Sequence, residues 1–136
     1  MTTDFFSLEF IEDLGLSHLT FKRKCTSEEY RLAYTKLIEL FEEKGHHNHV
    51  TDTSSLGTVG IADQQWVKSD VVPNLRKIVD KAHKLNIALI LGNDIFATFA
   101  AKNIARNFMD KQNIDIHYFP VVAESFEWFK QERELV

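Results

Sequence analysis

The chain has 136 residues, of which 44% are apolar and 26% are charged, a composition typical of one soluble globular domain. Sixteen basic residues against 20 acidic ones give a net charge of −4, which argues against the concentrated basic surface that binds nucleic acid or an anionic membrane. The single cysteine, Cys25, suits a reducing cytoplasm. The first residues lack the basic segment and the continuous apolar run of a signal peptide, so none is expected, and the longest apolar run, Ile87 to Leu91, is too short for membrane insertion.

The N-terminal part of the chain predicts an antiparallel β-hairpin. Two stretches alternate apolar with polar residues, which is the period of a half-buried strand. Asp13-Leu14-Gly15 predicts the turn between them, and two strands this close in sequence favour antiparallel pairing. The apolar positions of the two strands are Phe6, Leu8, Phe10, Leu19 and Phe21.

A helix is predicted from Thr26 or Ser27 to Gly45. Thr26 and Glu29 fit a capping box, in which a hydroxyl and a carboxylate satisfy free backbone N–H groups, and Gly45 fits a C-cap. A third strand is predicted over His46 to Thr53, with Val50 facing inward. The apolar face of the helix comprises Tyr30, Ala33, Tyr34, Leu37 and Phe41.

The middle of the chain predicts a loop and an interrupted helix. A polar loop spans residues 54–60, and a helix starts near Ala62 or Asp63 and carries Trp66. Pro73 is expected to break or kink this helix, because proline removes a helical hydrogen bond and disfavours helical geometry in the preceding residue. An apolar stripe at helical spacing follows the break, at Leu75, Ile78, Val79, Ala82 and Leu85.

Two strands and two helices complete the chain. The apolar run from Ile87 to Leu91 is typical of a strand that is covered on both faces and paired in parallel. Gly92-Asn93-Asp94 predicts a turn, after which Asp94 caps a helix. The last strand alternates at Ile114, Ile116 and Tyr118 and ends at Pro120, and the last helix spans Ala123 to Arg133 with Phe126 and Phe129 buried.

The predicted order, β-β-α-β-α-β-α-β-α, defines an α/β fold. Repeated β-α-β units imply parallel strands with right-handed crossovers, and the opening hairpin makes the sheet mixed. We therefore predict a single domain over residues 1–136, with a mixed sheet of about five strands and flanking helices.

A candidate ligand or regulatory site lies where two predicted strands end. In open α/β sheets, ligands collect beyond the carboxyl ends of the strands. The third strand is followed by a polar run and the fourth by an amide and a carboxylate, although these residue types also serve in ordinary turns and caps. Trp66 and other aromatics either line a pocket or belong to the core. The candidate residues are Asp52, Thr53, Ser54, Ser55, Trp66, Asn93 and Asp94.

Three histidines lie close together in sequence, at His46, His47 and His49. On a strand, His47 and His49 point to the same side, as paired metal ligands would. No carboxylate or cysteine stands at a recognised metal spacing, so a solvated strand entrance is the stronger interpretation and no cofactor is predicted.

Catalytic motifs are also missing: there is no nucleophile elbow, phosphate loop or dinucleotide-binding glycine pattern. Cys25 precedes a capped helix, which could lower its pKa, although a packed thiol is the simpler interpretation.

The chain resembles the STAS/SpoIIAA-like domains, in particular small single-domain bacterial proteins of that fold. The resemblance spans nearly the whole chain, from the hairpin and its capped helix to the closing segment from Ser125 to Phe129. Between them it rests on the strand that ends in Val50-Thr51-Asp52-Thr53 and on the Trp66-containing helix that leads to Val72-Pro73. It also includes the strand from Ile87 to Leu91 and the helix start at Asp94-Ile95-Phe96.

The resemblance implies a non-enzymatic module for protein–protein interaction or signalling. Anti-sigma factor antagonists of this family carry a phosphorylatable serine at the start of the helix after the third strand. Here that helix begins near Ala62-Asp63-Gln64 without a serine or threonine, so the phosphoserine switch is not implied. A protein partner or a homodimer through exposed phenylalanines and the hairpin's edge strand is expected. The alternative is a small-ligand or lipid-binding domain that uses the carboxyl edge of the sheet.

Overall fold

A computed structural model of the chain describes residues 1–80, 82–91 and 113–134. The described residues form a five-stranded sheet in the order β1-β2-β3-β4-β5. Strand β1 pairs antiparallel with β2, and every later pair is parallel. The predicted α/β class and mixed sheet are therefore confirmed. The strands are β1 (Phe6–Ile11), β2 (Leu16–Phe21), β3 (Asn48–Asp52), β4 (Leu85–Ile90) and β5 (Ile114–Phe119).

The first hairpin and helix follow the sequence pattern closely. A single 3₁₀ turn, Glu12–Leu14, connects β1 to β2, and Gly15 takes the left-handed conformation with a φ of 59° that favours glycine. Helix α1 (Ser27–Lys44) begins with the predicted capping box, which Thr26 and Glu29 both complete. All five positions of its predicted apolar face are buried, and Gly45 closes the helix with a φ of 64°.

Between β3 and β4 the chain forms α2 (Ile61–Trp66), a π-helical turn over Val67–Val71 and α3 (Val72–Ile78). The π-helical turn ends at Val71, and Pro73 lies in the first turn of α3. Because proline has no N–H to donate, the regular ladder cannot continue through this position, and the expected break takes the form of a wider turn.

The prediction of one apolar helical stripe through Leu85 was wrong. Helix α3 ends at Ile78, and Val79 is already extended, with φ −73° and ψ 129°. Ala82 is exposed, and Leu85 opens β4. Leu85 is buried because a strand carries it into the core, which the helical spacing did not reveal. The predicted turn at residues 92–94 and the helix after it lie outside the described residues.

The sheet is covered on both faces. Helices α1 and α3 and the π-helical turn pack on one face, where the larger core cluster lies. Helix α4 (Val122–Glu134) crosses the other face and buries Phe129 against Leu16, Val50 and Ile90. Burial on both faces explains why β4 is an apolar run rather than an alternation. In the described ranges, no helix combines the length and the apolar character needed to cross a bilayer.

Candidate functional site

Four predicted site residues lie at the carboxyl end of β3, beginning with its last residue, Asp52, and their hydrogen bonds hold the loop itself. The Oδ1 atom of Asp52 accepts hydrogen bonds from the backbone N–H of Ser54 at 3.0 Å and from its Oγ at 2.6 Å. Thr53 is buried, and both its N–H and its hydroxyl donate to the carbonyl of Ile90. Ser55 is exposed. This geometry is that of a turn tied to the neighbouring strand.

The other predicted members do not join that loop into one site. Trp66 packs on the α1 side of the sheet, with its ring 6.3 Å from the ring of Tyr34 and 5.1 Å from the guanidinium of Arg31. Asp52 lies two positions from Val50, so both side chains are on the face of the sheet that α4 covers. Trp66 packs on the other face. Asn93 and Asp94 lie outside the described residues.

The clustered histidines separate into different environments. Strand β3 begins at Asn48, so His47 precedes it rather than sharing a strand face with His49. His49 is buried, and its ring nitrogens contact the hydroxyls of Ser17 and Thr51. Burial lowers the pKa of His49 to about 3. His47 instead stacks on the ring of His83, with centroids 4.5 Å apart.

His46 is a third case. The residue is only 6% exposed, and its ring stacks on the ring of Phe41 with centroids 4.0 Å apart and meets the ring of Phe10 edge-on at 5.0 Å. Burial lowers its pKa to about 4, and the positive charge of Lys44 acts in the same direction. Each of the three side chains thus has its own packing role, and within the described part of the chain no three His, Cys, Asp or Glu residues are grouped to hold a metal.

A cleft that the sequence interpretation missed lies at the other end of the strands, opposite the loop after β3. Its volume is about 340 Å³, and it lies at the amino ends of β3, β4 and β5, beside the last turns of α4. Trp128 and Phe129 supply its apolar wall. Six polar side chains complete the lining: His47, Asn48, Lys84, Asn86, Asp115 and Glu132.

Strand register places three of these polar residues in one row. Asn48 pairs with Asn86, and Asn86 pairs with Asp115. Each is the first or second residue of its strand, and all three are on the α4 side of the sheet. The Nδ2 of Asn86 donates to Oδ1 of Asn48 at 3.0 Å. Lys84 lies 3.3 Å from Asp115. Polar residues at the starts of three consecutive strands were the available sequence signal, but the register was needed to align them.

The remaining reactive side chains are poorly placed for catalysis. Burial raises the pKa of the Cys25 thiol, and nearby Glu29 adds to the effect, so the lowering considered from its position before a helix is not found. Ser17 has a histidine partner, yet it is fully buried in the sheet. The hydroxyl of Thr20 lies 3.1 Å from Nε2 of His18, on the half-exposed hairpin face. Burial lowers the pKa of His18, while Asp52 and Glu9 raise it.

Neither the sequence, compared with protein-family models and curated proteins, nor the fold, compared with solved structures, gave a match.

Proposed function

We propose that this chain is a non-enzymatic binding domain of the STAS/SpoIIAA-like type that holds a small polar ligand in the cleft at the amino edge of its sheet. The observation that carries the proposal is the polar row of Asn48, Asn86 and Asp115 beside the ring of Trp128. The site therefore lies at the opposite end of the strands from the one expected from the general rule for α/β sheets.

The two asparagines define the kind of ligand. Their mutual bond uses Nδ2 of Asn86 and Oδ1 of Asn48. Among the described residues, Nδ2 of Asn48 and Oδ1 of Asn86 have no such bond, which leaves one donor beside one acceptor. That pair is complementary to the amide-like edge of a planar heterocycle.

The cleft wall and volume agree with such a ligand. Trp128 lines the cleft, and its ring, which packs against the imidazole of His117 with centroids 4.2 Å apart, is the aromatic group that a planar ligand would contact. About 340 Å³ is at the lower end of the range for small-molecule pockets, so a single ring system fits better than a dinucleotide or a lipid chain. Lys84 and Asp115 form an exposed ion pair at the mouth, where they can adjust to a charged substituent.

Fluorescence titration tests this proposal. Trp66 and Trp128 are the two tryptophans of the chain, so a Trp66→Phe variant reports on the cleft alone. Adenine, uracil and nicotinamide serve as probes of the amide-edged class. We expect a saturable change in Trp128 emission with at least one probe, and its loss in Asn48→Ala.

Asn74→Ala is the matched control, because Asn74 is exposed on α3, away from the cleft. This control should titrate like the parent. The proposal fails if no probe gives a saturable change, or if Asn48→Ala binds as tightly as Asn74→Ala.

Protein–protein contact is the second candidate function, and the edge of β1 favours it. β1 is the terminal strand of the sheet. Within the described residues, every phenylalanine is buried or half-buried, so this candidate function rests on the strand edge there and not on exposed phenylalanines. Light scattering over a concentration series tests self-association; a mass that stays at that of one chain would count against a homodimer of the intact protein.

A further inference from the structure

The first three residues fold back along the edge of β1, and we call Met1–Thr3 the N-terminal strap. Met1 and Leu8 exchange two backbone hydrogen bonds, each 2.8 Å long. Thr2 bridges Ser7 in antiparallel fashion, and the N–H of Thr3 donates to the carbonyl of Phe6 at 2.8 Å. The strap thus occupies part of the edge that β1 would otherwise present to another strand.

The strap is anchored by side chains as well as by backbone. The hydroxyl oxygen of Thr3 accepts from the N–H groups of Phe5 at 3.2 Å and Phe6 at 3.0 Å, which closes a tight turn. The ammonium of Lys22 donates to the carbonyl of Thr3 at 2.8 Å. These contacts stabilise the turn that directs Met1 along β1.

The backbone parity of β1 shows which groups the strap covers. The carbonyl of Phe5 accepts from the N–H of Lys22, which directly follows the end of β2, so odd-numbered positions direct their backbone groups towards the hairpin partner. Even-numbered positions direct theirs outward. The strap covers Phe6 and Leu8 and ends before Phe10, which borders a groove of about 430 Å³ between β1 and α1.

We propose that the β1 edge is a pairing surface for β1 of a second copy of this chain, and that the strap keeps it closed. The inference rests on protein contact as the second candidate function and is independent of the cleft. An antiparallel pair centred on Leu8 would place Phe6 of one copy opposite Phe10 of the other. The outward backbone groups of Phe6, Leu8 and Phe10 would then all be bonded, as in an ordinary sheet.

The side chains of β1 are self-complementary in that register. Leu8 meets its own counterpart, and Glu9 lies opposite Ser7 rather than opposite another carboxylate. Apolar and uncharged pairs across strands stabilise a sheet, whereas like charges placed directly opposite destabilise it. A two-fold pairing of this kind closes on itself and forms a dimer rather than a fibre.

The strap competes through its local concentration. A segment joined to its target by a short connection acts at an effective concentration of roughly millimolar. The intact chain should therefore stay monomeric until the protein concentration approaches that range. Release of the strap should lower the concentration needed for pairing.

The test is a deletion of residues 2–4, which joins Met1 directly to Phe5 so that the strap cannot reach Leu8. The control, Thr2→Ala with Asp4→Ala, keeps the strap length and the turn at Thr3. Sedimentation velocity from micromolar to millimolar protein should show a dimer for the deletion at concentrations where the intact chain and the control remain monomers. If the deletion does not fold, Thr3→Ala with Lys22→Ala weakens the strap without shortening it and takes its place.

Phe10→Pro in the released chain identifies the surface. Proline at position 10 removes an outward N–H without removing a hydrogen bond to β2, a position where edge strands tolerate it. We expect the dimer to disappear. A dimer that survives this change overturns the β1 route while leaving self-association intact. A monomer in every released variant overturns both the inference and the homodimer.

Discussion

Removal of the His49 side chain should remove part of the pH dependence of folding. His49 is fully enclosed on the α1 side of β3, and it bridges the hydroxyls of Ser17 and Thr51. Burial lowers its pKa to about 3 from the ordinary 6.5, and the neighbouring histidines add to the effect. In a folded chain near neutral pH this imidazole is therefore neutral, with one ring nitrogen as donor and the other as acceptor.

The sign of the pH dependence follows from proton uptake. Between the folded pKa of about 3 and the unfolded pKa near 6.5, the unfolded chain binds a proton that the folded chain does not. The stability that His49 contributes is therefore full above pH 6.5 and is lost as the pH falls towards the folded pKa. With these two pKa values, the loss from pH 7 to pH 5 is about 2 kcal/mol in the free energy of unfolding.

Urea unfolding of the wild type and His49→Gln at both pH values measures this term. The variant loses stability at pH 7, because a glutamine cannot satisfy both hydroxyls; each unsatisfied buried group costs about 1–3 kcal/mol. Its further loss on going to pH 5 should be about 2 kcal/mol smaller than that of the wild type. His83→Gln, at an exposed histidine, is the control. Equal pH dependence in His49→Gln and the wild type would refute the reasoning.

Three further predictions concern the first helix and the thiol. Thr26→Ala should lower the free energy of unfolding by about 1 kcal/mol, because the capping box loses its hydroxyl, while Thr35→Ala on the exposed face of α1 should cost less in the same urea assay. Phe41→Ala should lower the free energy of unfolding by about 3–5 kcal/mol, because the ring is fully buried. Val121→Ala, at an exposed residue, is the control, and its thermal unfolding should change negligibly. Cys25 should react with a disulfide reagent more slowly near neutral pH than a thiol of ordinary pKa, because burial raises its pKa; a faster rate would contradict the assigned environment.

Local patterns in the sequence were sufficient for most of the described fold. The alternation in the hairpin, the capping box at Thr26 and Glu29, and the stripe of α1 each depend on residues close in sequence, and all three are confirmed. The apolar run of β4 predicted a strand covered on both faces and paired in parallel, and the structure places β4 between two parallel neighbours. The error at Leu85 has the opposite origin: an apolar residue fits a helical stripe and a buried strand equally well, and tertiary burial decides between them.

The candidate site was much less predictable. Asp52, Thr53 and Ser54 are the residue types that bind ligands and also the types that close turns, and the sequence does not show which hydrogen bonds they make. The histidines were ambiguous for a similar reason. Their burial depends on Phe10, Phe41 and Ser17, which come from other elements and reach them only in the folded chain.

The sequence by itself determined the α/β class of the fold, its mixed sheet and many of the residues that form the core. These properties come from the period of the apolar residues and from caps that act over a few positions. Only the tertiary structure decided the register that aligns Asn48, Asn86 and Asp115, and only it showed the strap that pairs Met1 with Leu8. Both depend on hydrogen bonds between segments whose partners are set by the packing of the whole sheet.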